Sequence, residues 1–293
     1  MKRLLLLIPT TTYRTEDFVD AAKKLDVDLV IASDRPNVMS GEFPDHLLTL
    51  PLSDAGAAVE EARRVAARRP LDAVVPVDDL TTVAAAAICR DLGLRSSPLA
   101  AVQATRNKLT MRERLAAAGV SSPAFTSWSI EGGPTVAAAR LHYPCVLKPL
   151  GLSASRGVIR ANDAAQFVTA FARIAAILAS PDVPAQTEGT DRILVEEFIV
   201  GQEVALEGLL VDGELHTLAL FDKPDPLDGP FFQETIYVTP SRLPETAQAV
   251  IRACTADAAA ALGLTEGPVH AELRLRTDER GATRAWMLEI AAR

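Results

Sequence analysis

The chain has 293 residues, 48% apolar and 23% charged, with a formal net charge of −8. This length predicts two or three compact units, and the acidic balance argues against a broad nucleic-acid surface while leaving room for local basic pockets. Cys89, Cys145 and Cys254 are widely separated with no CxxC or Cys/His metal spacing, so they read as reduced, buried thiols of a cytoplasmic protein.

Lys2-Arg3 and the apolar run Leu4 to Ile8 begin the chain. The run is too short for a signal peptide, Pro9 and threonines interrupt it, and no later segment approaches a membrane span. It reads as a buried parallel strand. In the hydroxyl-rich loop that follows, Thr10 to Thr12 would line a ligand at the strand end, or satisfy the loop and cap the next helix. Helices are predicted over Glu16 to Lys24, Ala55 to Arg69 and Thr81 to Leu92, and strands over Val27 to Ala32, Leu47 to Leu50 and Ala73 to Val77. This alternation predicts a small doubly wound parallel sheet. No GxGxxG follows the first strand, so a dinucleotide phosphate turn is not supported. Asp78 and Asp79 would reach a cleft or cap the next helix.

Arg106-Asn107-Lys108 leads into a helix, Leu109 to Ala118, and Lys108 alone reads as a surface lysine. Tyr143 to Pro149 is a strand with Lys148 among apolar neighbours. The loop GLSASRG (151–157) and a short strand VIR follow. Backbone amides and serine hydroxyls of such a loop are able to wrap a phosphate, although it lacks the GK[ST] of a P-loop and also fits an ordinary glycine-rich turn. A helix over Ala164 to Ala179 precedes a Pro/Gly/Thr-rich connection, Ser180 to Asp191. Strands follow over Ile193 to Ile199, Val204 to Val211 and Glu214 to Leu220, with a two-residue turn at Asp212-Gly213. Glu196 and Glu197 must face opposite sides of their strand.

The last stretch, Pro268 to Arg293, predicts an antiparallel hairpin around TDERGAT. A register centred between Arg280 and Gly281 sets Glu272 opposite Glu289. Directly opposed like charges are destabilising, so two facing carboxylates call for a cation, and an all-oxygen anionic pair suits Mg²⁺. Glu289, Ala291 and Arg293 share one face by the strand period. The same pattern also fits a solvated strand whose charges face water.

In order, Arg106-Asn107-Lys108 before MRERLAAAGV, PCVLKP, GLSASRG, VEEFIVGQE, HAEL and LEIAAR resemble the ATP-grasp superfamily of carboxylate–amine ligases. The stretch FDKPDPLDGPFFQETIYVTPSRLP (221–244) makes the chain most similar to the L-amino-acid ligase branch. The resemblance implies an α/β protein, α+β in its ATP-binding part. A Rossmann-like domain over 1–97 would precede a two-lobed ATP-grasp fold, with lobes over 98–198 and 199–293, truncated at the carboxyl end. It implies that Lys108 and Lys148 hold ATP phosphates, Lys148 nearer the adenine. Residues 151–157, with Ser153, Ser155, Arg156 and Gly157, would form the phosphate flap. Glu196, Glu197, Phe198 and Ile199 would form the hinge whose backbone reads the adenine edge, and Glu203 would accept the ribose hydroxyls. Glu272 and Glu289 would hold Mg²⁺, with Mn²⁺ as a substitute. Arg293 would contact the substrate carboxylate or acyl group, and His270 would be a substrate contact or a packed core histidine. Glu207 and Glu234 are candidates for the base, and Asp222 to Phe232 for a substrate-facing loop.

The implied activity is ATP-dependent activation of a carboxylate, such as an amino acid, as an acylphosphate, and its joining to an amine. The partners would be these small molecules, without nucleic acid or membrane, and a homodimer is allowed. Two departures stand against the pattern: Ala291 occupies a position where many members carry Asn, and relatives continue beyond LEIAAR. The alternatives are an inactive nucleotide-binding module, and a carboxylase-type or purine-pathway enzyme of the same fold.

Overall fold

The computed structural model describes residues 1–10, 12, 15–183 and 187–293. These divide into two compact units. The first comprises Met1–Gln103, Gly263–Pro268 and Ala292–Arg293; the second comprises Ala104–Leu262 and Val269–Ala291.

In the first unit, β1 (Arg3–Leu7), β2 (Asp28–Ser33), β3 (Leu47–Thr49) and β4 (Ala73–Pro76) form a parallel sheet in the order β3-β2-β1-β4. The apolar run in β1 is buried because strands flank it on both edges and helices cover its faces. Helices α1 (Thr15–Lys24) and α2 (Ala55–Arg68) connect strands, and α3 (Thr82–Leu92) follows β4. Ala58, Ala62 and Val65 form the buried stripe of α2, and Asp54 caps that helix by accepting from the Ala57 amide at 3.0 Å. The core joins Leu5, Leu7, Val30 and Ala32 to Ile88 and Cys89 of α3. Asp78 caps the short turn Asp79–Thr81. The Thr10 amide donates to Asp34 at 2.8 Å, which supports a loop-satisfying role for Thr10; Thr11 lies outside the described residues.

After α4 (Leu99–Arg106) comes α5 (Lys108–Ala117), whose first amides are capped by Asn107. The second unit holds two antiparallel sheets. One contains β5 (Phe125–Ser129), β6 (Cys145–Pro149), β7 (Ile159–Ala161) and β8 (Arg192–Glu197), ordered β5-β8-β6-β7. Helices α6 (Pro134–Ala138) and α7 (Ala164–Leu178) pack Phe167, Phe171 and Ile174 against Leu147, Ile193 and Val195. By strand alternation Lys148 and Glu196 therefore face away from α7.

The other sheet contains β9 (Gln202–Val211), β10 (Glu214–Asp222), β11 (Gly267–Thr277) and β12 (Thr283–Ala292), ordered β10-β9-β11-β12. The β9–β10 turn has φ of 51° at Asp212 and 83° at Gly213, the left-handed pair required by a tight hairpin. Helix α8 (Glu245–Leu262) buries Ala247, Ile251, Thr255, Ala258 and Leu262. Gly201, at φ 149°, passes so close to β11 that a Cβ there would lie 2.0 Å from the Leu275 carbonyl oxygen.

The β11–β12 register corrects the sequence expectation near the turn. Thr277 and Thr283 oppose each other with their Oγ1 atoms 2.9 Å apart, and the Asp278 amide donates to the Ala282 carbonyl at 3.0 Å. The turn is thus centred on Arg280, half a residue from the expected point. At the other end, the Arg293 amide donates to the Pro268 carbonyl at 2.9 Å, which is the expected register. The two agree only if β12 takes in one extra residue between them. The buried positions bracket it: Ala285 and Met287 are buried on one phase, Leu288 and Glu289 are not, and Ile290, Ala291 and Ala292 are all buried beyond them. A one-residue bulge at Leu288–Glu289 produces such a shift and brings Glu289 opposite Glu272.

Candidate active site

The site face of the β5–β8 sheet carries charge inside an apolar setting. Glu196 is 2% exposed, and its two carboxylate oxygens divide between two cations: Arg112 Nε at 2.5 Å and Lys148 Nζ at 2.7 Å. Burial alone would raise the Glu196 carboxyl, but the guanidinium and the ammonium outweigh it and hold it below its ordinary range. This corrects part of the hinge expectation. Glu196 pairs with Val146 within the sheet, so its backbone serves the ladder and its side chain serves Lys148. Glu197 is exposed on the opposite side and its amide donates to the Ala124 carbonyl. The Phe198 amide bonds the Pro144 carbonyl at 3.2 Å; within the hinge, the Ile199 amide has no backbone partner among the described residues.

Lys108 is not the surface lysine that it suggests in isolation. Its amide bonds the Leu150 carbonyl at 3.0 Å, and its Nζ donates to the Leu152 carbonyl at 2.8 Å and to Glu289 Oε1 at 3.2 Å. The lysine thus holds the base of the 151–157 loop. Gly157, at φ 77°, could not be another residue without shifting Pro149, since a Cβ would lie 2.7 Å from its Cγ. Ala154 and Ser155 also have positive φ, at 54° and 53°. Ser153 and Ser155 are exposed, and Arg156 pairs with Asp182 at 2.6 Å. A cleft of about 500 Å³ lies between this loop, Arg173 and Ile177 of α7, and Phe231 to Glu234.

On the β9–β12 sheet, His270, Glu272 and Arg274 share one face of β11, whose other face buries Val269, Ala271, Leu273 and Leu275. Lys223, at the end of β10, is 4% exposed; its Nζ meets Glu203 at 3.0 Å and Glu272 at 2.9 Å, and also bonds Glu234. Burial would lower its proton affinity, but Glu272 and Glu203 raise it far above the ordinary lysine range. The second oxygen of Glu203 accepts from Arg274 Nε at 3.1 Å, and Arg274 also donates to the Ile199 carbonyl at 2.8 Å and to Leu227. His270 lies between Glu207 at 2.8 Å and Glu272 at 3.5 Å. Burial opposes its charge, yet these carboxylates push its pKa up to about 9, so it is an imidazolium at neutral pH. Glu272 is held well below the carboxylate range against its own burial, by His270 and Lys223. Burial and the neighbouring Glu272 raise Glu234.

The loop after β10 is closed at its base: Asp222 pairs with Val238 and accepts from Ser241 Oγ at 2.6 Å. Its tip lies along β7, where the Arg160 amide donates to the Pro230 carbonyl at 2.9 Å. In the first unit, Arg293 pairs with Asp79 at 2.7 Å.

The second unit therefore gathers Lys108, Glu289 and the 151–157 loop into one contact network, Lys148 and Glu196 into another, and Glu203, Glu207, Glu234, His270 and Glu272 into a third. Sequence reading passed over Lys223, Arg274 and Arg112, the cations that hold these groups. For Arg274 there was a signal: it lies two residues from Glu272 and hence on the same strand face.

The donor chemistry fits a divalent metal. Glu203, Glu234 and Glu272 bring oxygen atoms within 4.8 Å of one another. In the group Glu203, Glu207, Glu234 and Glu272, four carboxylates face three cations, Lys223, His270 and Arg274, while Glu289 pairs separately with Lys108. The Arg112–Glu196–Lys148 group carries the opposite surplus.

The chain is 29% identical over 247 residues to alanine–anticapsin ligase of Bacillus subtilis, covering 80% of this chain and 51% of that protein. It is 31% identical over 175 residues to dapdiamide A synthase of Enterobacter agglomerans, covering 59% of this chain and 39% of that protein. The structure of the L-amino acid ligase from Bacillus licheniformis superposes with a TM-score of 0.79 at 26% identity, over 100% of this chain and 67% of that one. The chain spans about half the length of the first of these curated relatives. Among the described residues, no helix is long and apolar enough to cross a membrane. The ATP-grasp N-terminal domain matches residues 19–95 and the ATP-grasp domain matches residues 141–293, more than half of the sequence, and the chain belongs to the ATP-grasp family.

Proposed function

We propose that the chain carries the nucleotide-activating site of an ATP-dependent ligase, which converts an amino-acid carboxylate to an acylphosphate and joins it to an amine as an amide or dipeptide. One observation carries the reading. A cationic group, Arg112–Glu196–Lys148, and an anionic group of Glu203, Glu234 and Glu272 occur in one unit, a division of charge complementary to a polyphosphate and its metal ion. The relatives' names, which are those of amino-acid and amide ligases, support the substrate class.

A carboxylate repels nucleophiles; phosphorylation of one oxygen gives it a leaving group, and attack by the amine forms the C–N bond and expels phosphate. The protein's work is positioning and charge neutralisation. Lys108, Lys148 and the amides of residues 153–157 would hold phosphate oxygens, with Ser153, Ser155 and Arg156 at the rim. Glu203 would accept the ribose hydroxyls and the Ile199 amide would read the adenine edge. Glu272 and Glu289 would hold Mg²⁺ or Mn²⁺, which would neutralise phosphate charge as it develops. Closure of the 151–157 loop would exclude water from the acylphosphate. Glu207 and Glu234, each held by a cation, are the carboxylates available to take a proton from the amine. His270 would neutralise charge beside the substrate, and Arg293 would bind its carboxylate as it binds Asp79.

The test is ADP and phosphate release over a panel of amino-acid pairs. Release that requires both members of a pair, with formation of the amide, is the expected result. Nucleotide binding without release in any pair would leave a binding module, and release that requires bicarbonate instead would favour the carboxylase-type reading.

A further inference from the structure

Arg112 lies one helical turn after Lys108 on α5, so the two side chains share a helix face. Both reach β12: Lys108 bonds the Glu289 carboxylate at 3.2 Å, and Arg112 Nη2 donates to the carbonyl of Leu288. Arg112 is only 1% exposed, and burying a charge costs several kcal/mol unless it is well paired. A simple structural pair would be closed, one cation to one anion. Here the single carboxylate, Glu196, is shared with Lys148, and the second guanidinium arm is committed to a main-chain oxygen at the bulge. Its Nη1 has no partner among the described residues. That arrangement satisfies Arg112 poorly and its neighbours well.

We propose that Arg112 is a positioning residue that couples the two halves of the site: through Glu196 it sets the direction of Lys148, and through the Leu288 carbonyl it fixes the bulge that aims Glu289. The inference rests on the reading of Lys148 as a nucleotide contact and Glu289 as a metal ligand. The planar fork of arginine makes both bonds at once, whereas the point charge of a lysine serves one. Arg112 touches neither nucleotide nor substrate in this scheme; it acts through the residues that do.

Calorimetric titration of the full chain with ATP alone, and with ATP plus Mg²⁺, reads the two arms separately. Arg112→Lys keeps a charge for Glu196 and removes the arm to Leu288. Its affinity for ATP alone should stay within about twofold of wild type, while the gain in affinity on adding Mg²⁺ should fall about tenfold, the order expected for one charge-assisted hydrogen bond. Glu196→Gln should show the converse, a loss for ATP alone with most of the Mg²⁺ gain kept. The double variant Arg112→Gln, Glu196→Gln removes both charges together, guards against a misfolded single variant, and should lose both responses. Lys148→Ala and Glu289→Gln serve as references. If those two lose ATP affinity and Mg²⁺ gain respectively while Arg112→Lys matches wild type in both titrations, the coupling is overturned and the site reading stands. A lowered melting temperature in Arg112→Lys with both affinities intact would likewise reduce Arg112 to a structural residue. If Lys148→Ala and Glu289→Gln also match wild type, the site reading fails and takes the inference with it.

Discussion

Glu196→Gln provides a stability test of the buried charge network as well as a binding test. The substitution keeps the shape of the side chain and removes the one negative charge that Arg112 and Lys148 share, 2.5 and 2.7 Å away. Removing one partner of a buried ion pair costs about 3–5 kcal/mol, and the amide retains a hydrogen-bond acceptor, so we take the lower end, about 3 kcal/mol. For a domain of this size each kcal/mol moves Tm by about 2–4 °C, which gives a fall of roughly 6–12 °C. The folded-state pKa of Glu196 is depressed, so its stabilisation is full above the ordinary carboxylate pKa and fades as pH drops through the folded value. Thermal unfolding followed by circular dichroism at pH 7.5 and at decreasing pH below about 4.5 measures both features. The gap between wild type and variant should be constant near neutrality and narrow in acid. A gap under about 2 °C at pH 7.5, or one that does not narrow in acid, would refute the network as a stabilising element.

Glu289→Gln should lower amino-acid-dependent ADP release by roughly a hundredfold or more, beyond what loss of a supporting residue around a metal costs, while ATP binding persists; unchanged turnover would remove Glu289 from the metal. Gly201→Ala should abolish soluble expression or lower Tm by more than about 10 °C, because its Cβ would lie 2.0 Å from the Leu275 carbonyl oxygen, an overlap that forces β9 and β11 apart; a melting curve like wild type would refute this. Burial pushes the thiols of Cys145 and Cys254 up to about 11 and raises that of Cys89. At pH 8 a thiol of that pKa is about 0.1% thiolate against roughly a quarter for a free cysteine. Cys89 and Cys145 are buried as expected, whereas Cys254 is only half-buried. A colorimetric disulfide reagent should therefore leave Cys89 and Cys145 unlabelled within minutes in the native chain, react slowly at Cys254, and label all three after unfolding. Rapid native labelling of Cys89 or Cys145 would contradict the burial.

Local pattern was enough to find the strands and the order of the motifs. Leu4 to Ile8, Val27 to Ala32 and Ala73 to Val77 are runs whose only stable place is between neighbouring strands, and β1, β2 and β4 occupy them within a residue or two. Lys148 stood out because apolar neighbours flank it on its strand; its partner, Glu196, comes from a strand 48 positions later and depends on the β6–β8 register. Lys223, Arg274 and Arg112 escaped for the same reason. Each looks like a solvated charge at a strand end or on a helix until distant carboxylates and carbonyls close around it. The extent of α8 was missed because half of its buried side is alanine, which gives little contrast between faces. The hairpin expectation found the facing acids from a wrong turn centre, since a turn-local slip and a compensating bulge cancel in the sum.

That cancellation has a consequence for sequence alignment. Because β12 changes phase between the loop at residues 278–282 and the pair Glu272 and Glu289, a homologue without the inserted residue would keep both acids on one side only by altering its loop by one position. An odd difference in loop length between relatives, which would ordinarily signal a misaligned strand, is then the mark of a chain that has gained or lost this irregularity while keeping the two acids opposed.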